Sequence, residues 1–97
     1  MLARNKRNIN SGHRGNLDII ADILEASQTG TRKTYLMYHC NLSFRQLKHY
    51  LIHLNKTGLL CAVVDNGGRN QDLFKTTEKG IKFLKIYRGL KALLKPS

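Results

Sequence analysis

Ninety-seven residues are enough for one small domain, and a 41% apolar share with no Trp allows it only a modest core. Seventeen Lys and Arg against six Asp and Glu leave a formal charge of +11, which points to a polyanionic partner: DNA, RNA or an anionic surface. No run approaches a membrane span and no apolar signal-peptide core follows the first basic residues, so a cytoplasmic protein is expected. Two cysteines without framework spacing fit free thiols in a reducing compartment.

The carboxylates are not scattered. Asp18, Asp22 and Glu25 make up half of the six, and the spacing puts them on one helix. A protein with one side against phosphate and one side away from it separates its charges in this way.

Residues 1–15 are polar and aperiodic and carry Arg4, Lys6, Arg7 and Arg14. They read as a flexible basic arm, either a disordered tail or a segment that follows the DNA backbone. Residues 17–27 follow as the first helix, with Leu17, Ile20, Ile23, Leu24 and Ser27 on the inner face and the acidic residues opposite. Asn16 is the expected cap. QTGTR is a turn, in which a very short strand is expected around residues 29–32. The run KTYLMYHC, residues 33–40, is the second helix, with Leu36, Met37 and Cys40 inward.

The most informative stretch is NLSFRQLKHYLIHLNKTG, residues 41–58. Ser43 and Gln46 form a capping box, and Gly58 supplies the positive φ that stops a helix. Phe44, Leu47, Tyr50, Leu51 and Leu54 fall on one stripe. Arg45, His49 and Lys56 fall on the other side, edged by Gln46, Lys48 and His53, with no carboxylate. Helix, short turn and capped second helix is helix-turn-helix spacing, and such a face suits a DNA major groove. Ile52 stands among these cations, where it either contacts a thymine methyl or packs under the following hairpin. Packing is the favoured reading.

After Gly58 the period changes. Residues 59–64 and 72–76 read as two strands around DNGGRNQ, a hairpin that serves as a wing, with Arg69 at its tip. Thr77 caps a last helix over residues 78–95, stopped by Pro96. Ile81 and Leu84 pack on their own domain. Phe83, Ile86, Leu90 and Leu93, with Tyr87 and Leu94 beside them, form a seam spaced for a partner helix, most simply the same helix of a second chain. Gly89 suits a close helix crossing or a bend.

The segments LDIIADIL, GTRKTYLMYHCNLSFRQLKHYLIHLNKTGLL and FKTTEKGIKFLKIYRGLKALL resemble the small archaeal winged-helix DNA-binding proteins. That family includes dimeric chromatin-associated proteins of Sulfolobus. The resemblance runs from about residue 16 to residue 94. It implies a mainly helical α+β fold, double-stranded DNA as partner, and an antiparallel dimer contact between C-terminal helices. The domain plan is then an arm (1–15), a winged-helix domain (16–77) and a dimerisation helix (78–95), with recognition helix 43–57 and wing 65–71.

The candidate DNA contacts are Arg45, Gln46, Lys48 and His49 in or beside the major groove, with Ser43, His53, Lys56 and Lys33 around them. Arg69 and Arg14 are the flanking contacts. A phosphate near His49 or His53 would favour the charged imidazole, so binding should strengthen as pH falls toward 6. The same two histidines have metal-ligand spacing, but no Cys, Asp or Glu nearby completes a set, and no metal or other cofactor is expected. No catalytic constellation or phosphate-binding loop is present, so an enzyme is not expected. The function expected is a nucleoid-associated protein or transcription regulator. The alternative is a winged-helix protein–protein interaction module, which should be far less sensitive to salt.

Overall fold

The structure is a computed structural model that describes residues 14–64 and 72–96. Its elements are α1 (Asn16–Ala26), α2 (Lys33–Cys40), α3 (Phe44–Thr57), β1 (Leu60–Val64), β2 (Asp72–Thr76) and α4 (Glu78–Leu93). The first thirteen residues of the expected arm, and the wing tip with Arg69, lie outside the described residues.

The turn between α2 and α3 is built by local chemistry. Asn41 closes α2 in the left-handed region at φ 56°, and the Leu42 amide returns to the Met37 carbonyl at 3.0 Å. Two residues later Ser43 opens α3. Its hydroxyl accepts the Gln46 amide at 3.1 Å, and its own amide donates to Gln46 Oε1 at 2.9 Å. Gly58, at φ 80°, ends α3 as expected.

Strands β1 and β2 pair antiparallel, with Leu60 opposite Thr76 and Val63 opposite Leu73. The short strand expected before α2 is a single bridge, Thr31 to Phe74, made by two backbone hydrogen bonds of 3.0 and 2.7 Å. Thr76 ties the sheet to α1: its amide donates to Ser27 O at 3.0 Å and its hydroxyl to Leu24 O at 2.6 Å.

The start of α4 is equally committed. The Thr77 hydroxyl accepts the Gly80 amide at 3.1 Å and donates to Gly58 O at 2.6 Å, while Lys79 Nζ donates to Thr57 O at 2.6 Å. The unpaired carbonyls at the end of α3 are thereby satisfied by the next helix. Gly80 permits this approach, because a Cβ there would stand 2.4 Å from the Leu59 carbonyl oxygen.

The core joins Ile23 and Leu24 of α1, Leu36 of α2, Leu47 and Leu54 of α3, Leu60 of β1 and Leu84 of α4. Among the described residues, no helix is long and apolar enough to cross a membrane. Both cysteines are free thiols. Cys40 is buried, and burial, with Asp22 nearby, pushes its pKa up to about 11.

Three local expectations are corrected. Gly15 caps α1, and the Asp18 carboxylate accepts its amide at 3.0 Å. Asn16 instead accepts the Tyr50 hydroxyl at 2.8 Å, which pins α1 to α3. Leu17 and Phe44 lie at the first turns of their helices, where the apolar stripe runs past the edge of the core, and both stay exposed.

Candidate nucleic-acid interface

Helix α3 buries Leu47, Leu51 and Leu54, and this rotation sets everything on its other side. Arg45, Lys48, His49, Ile52, His53 and Lys56 all face outward and are exposed. Arg45, Lys48, His49 and Ile52, at i, i+3, i+4 and i+7, line a shallow groove together with Phe44. Among the described residues no carboxylate pairs with Arg45, Lys48 or Lys56.

Ser43 and Gln46 are constrained differently. Both are exposed, yet each holds the other in the capping box, and Gln46 Oε1 is occupied by the Ser43 amide. Gln46 can therefore offer a ligand its amide N–H groups more readily than its oxygen. Lys33, in the first turn of α2, lies with Nζ 5.4 Å from the centroid of the Phe44 ring. This contact joins the start of α2 to the start of α3 on the outward side. Phe44 and Ile52 are outward-facing, 53% and 49% exposed; periodicity assigned Phe44 to the inner stripe and Ile52 to the outer face. For Phe44 the signal was available, since a residue directly after a cap has no preceding helical turn to cover it.

Helix α1 shows the contrary arrangement. The three carboxylates of α1 are all matched. Arg14 bonds Asp22 at 2.8 Å and also donates to Cys40 O at 2.6 Å. Arg88 bonds Glu25, and the Tyr87 hydroxyl donates to Asp18, with Lys91 Nζ 3.7 Å from the same carboxylate. Tyr87, followed by the Gly15 amide, holds the Asp18 carboxyl below its usual range. In return Asp18 pushes the Tyr87 phenol up to about 12, with burial adding to the effect. Arg14, expected as a flanking contact, is thus taken up by α1 and α2. Its partners lie eight and 26 residues away, too far for local pattern to foresee.

The seam expected on α4 divides. Phe83 and Tyr87 are half-buried against the domain core, their rings stacked with centroids 6.2 Å apart. Ile86, Leu90, Leu93 and Leu94 remain exposed, and Leu17 of α1 is exposed as well. Leu17, Leu90 and Leu94 share a groove beside Tyr87 and Lys91.

A helix-turn-helix followed by a two-stranded hairpin and a further helix defines a winged-helix protein, here with a cationic face on its second helix. Residues 13–95 match the model of the winged helix-turn-helix family, and the chain belongs to that family. Among solved structures it is similar to Sso10a-2, a DNA-binding protein from Sulfolobus solfataricus (24% identity, 87% of this chain and 100% of that one, TM-score 0.65). It is also similar to MepR of S. aureus in complex with DNA (17% identity, 82% of this chain, TM-score 0.69). A third likeness is to FabT of Streptococcus pneumoniae in complex with DNA (18% identity, 80% of this chain, TM-score 0.63). The chain spans 66% of the MepR chain and 54% of the FabT chain. Among curated proteins, no sequence matches it.

Proposed function

We propose that this protein is a dimeric double-stranded DNA-binding protein, acting as a transcription regulator or a nucleoid-associated protein. Residues 43–57 lie in the major groove and the wing, residues 65–71, follows the flanking DNA. One observation carries the reading: among the described residues, the outward face of α3 presents Arg45, Lys48, His49 and Lys56 with no carboxylate partner, while the acidic residues of α1 are paired elsewhere. Arg45 and His49 read base edges, Gln46 adds N–H donors, and Lys48, Lys56, His53 and Lys33 supply charge to the phosphates. Two of the similar structures are DNA complexes, which supports the same partner here.

The dimer is held by the second half of α4, through Ile86, Leu90, Leu93 and Leu94, with Leu17 beside them. A second copy brings a second α3, doubling the phosphates that can be engaged. The test is duplex binding across a salt series, with the mass measured in parallel. Neutralising ~6–10 phosphates predicts a loss of affinity of roughly three to five orders of magnitude between about 50 and about 200 mM salt. Salt-independent binding, or none at the lowest salt, rejects the proposal. A monomer at binding concentrations rejects its dimeric part.

A further inference from the structure

Ile52 and Phe44 are out of character with the face they occupy. Ile52 stands at the centre of the outward side of α3, between Arg45 and Lys56, and is 49% exposed. A β-branched side chain is a poor choice for an exposed helix position unless something covers it, because it gives up rotamer freedom without gaining contacts. Phe44 is two turns earlier, 53% exposed, with the Lys33 ammonium over its ring. The two are eight residues apart, which is about 12 Å along the helix axis. They belong to one groove, whose remaining lining is Arg45, Lys48 and His49.

An apolar floor set among cations needs an occupant that is apolar in the middle and anionic at its margins. The major groove of B-DNA has that profile. Its margins are phosphates, and the one apolar group on its floor is the thymine C5-methyl. Of the two readings that the sequence leaves for Ile52, a side chain 49% exposed on the outward face of α3 keeps the thymine-methyl contact open.

We propose that Ile52 and Phe44 read thymine methyl groups, giving the protein a preference for duplexes with thymine at the positions beneath α3. This rests on the DNA-binding reading and adds to it a basis for discrimination that uses no hydrogen bond. The cations give affinity to any duplex, whereas the two apolar side chains reward only those bases that carry a methyl.

Uracil provides the test, since it pairs as thymine does and lacks only that methyl. Affinities are measured at one salt concentration for an A·T-rich duplex and for the same duplex with every thymidine replaced by deoxyuridine. The wild-type protein should bind the thymine duplex about fourfold more tightly for one buried methyl, and roughly tenfold or more for two. The preference should shrink in Ile52→Ala and in Phe44→Ala and vanish in the double variant. Both side chains are exposed and Ala favours helix, so circular dichroism should show intact folds. Equal wild-type affinity for the two duplexes overturns the proposal and leaves salt-sensitive DNA binding standing. A preference that persists undiminished in the double variant also overturns it, because the source is then duplex shape. Failure to bind either duplex at low salt removes this proposal and the DNA-binding reading together.

Discussion

Helix α4 is two different objects joined at Leu84. Its first half is built into the domain: Thr77 and Lys79 satisfy the end of α3, Gly80 lies against the Leu59 carbonyl, and Leu84 is buried. Its second half touches the domain on one side only, through Tyr87, Arg88 and Lys91 on the carboxylates of α1, and exposes Ile86, Leu90, Leu93 and Leu94. The first half is specified by this chain. The second half keeps an apolar surface that no described residue covers, although its polar contacts already fix the helix direction. A partner there would meet a surface prepared in advance, with little ordering still to be done.

The contrast can be attacked from either end. The largest effect is expected at Gly80. Gly80→Ala forces the Leu59 backbone to move and should cost about 1–3 kcal/mol in denaturant unfolding, with Gly80→Val costing more. If Gly80→Ala is neutral, the two halves do not differ as described. The next probe is the pair of substitutions Leu90→Asp and Leu93→Asp. They should convert the proposed dimer to a monomer in sedimentation, while the midpoint of monomer unfolding stays put, because both side chains are exposed.

Gly89 sharpens the comparison further, since nothing lies within 4 Å of a Cβ placed there. In the isolated chain Gly89→Ala should therefore raise stability by about 1 kcal/mol through helix propensity alone, read as a higher melting temperature. If the same substitution weakens the dimer, the partner helix crosses at Gly89. Smaller again is the Arg88–Glu25 pair, with both side chains about half exposed. Arg88→Ala should cost well under about 1 kcal/mol and less as salt rises.

The smallest effect is on pH dependence. Asp18 has a lowered carboxyl pKa, so its stabilisation is present above the unfolded value and is lost as pH falls through the folded one. Tyr87 has the opposite sign: its contribution is complete below pH 10.0 and is lost as pH rises through about 12. Tyr87→Phe should flatten both limbs of the stability profile. An unchanged alkaline limb would mean that the phenol is not held by Asp18.

What could be read from the letters and what could not have a common physical basis. The Ser43–Gln46 box, the Gly58 stop and the Thr77 cap act within one helical turn, so residue type and spacing determine them. The bounds of α2 and the strand at residues 72–76 follow from similarly local signals. The misreadings are about reach. Tyr87 pairs with Asp18 across 69 residues, and Tyr50 with Asn16 across 34. No spacing rule links such residues, which is why the sequence points to neither pair and gives Asn16 the cap that Gly15 makes. Leu17 and Phe44 show a second limit. Periodicity finds the direction of a stripe but not how far the core extends beneath it. In the candidate site, the cations of α3 and Ile52 among them were legible as a set, whereas the exposure of Phe44 beside them and the ion pair of Arg14 needed three dimensions.

The bridge between Thr31 and Phe74 has a mechanical consequence. Two backbone hydrogen bonds fasten the middle of β2 to the peptide two residues before Lys33, so β2 and the start of α2 are tied to each other directly. They behave as the fixed jaws of a caliper. A distortion imposed on one jaw must be carried by the other, so a duplex bound as proposed would meet both at once.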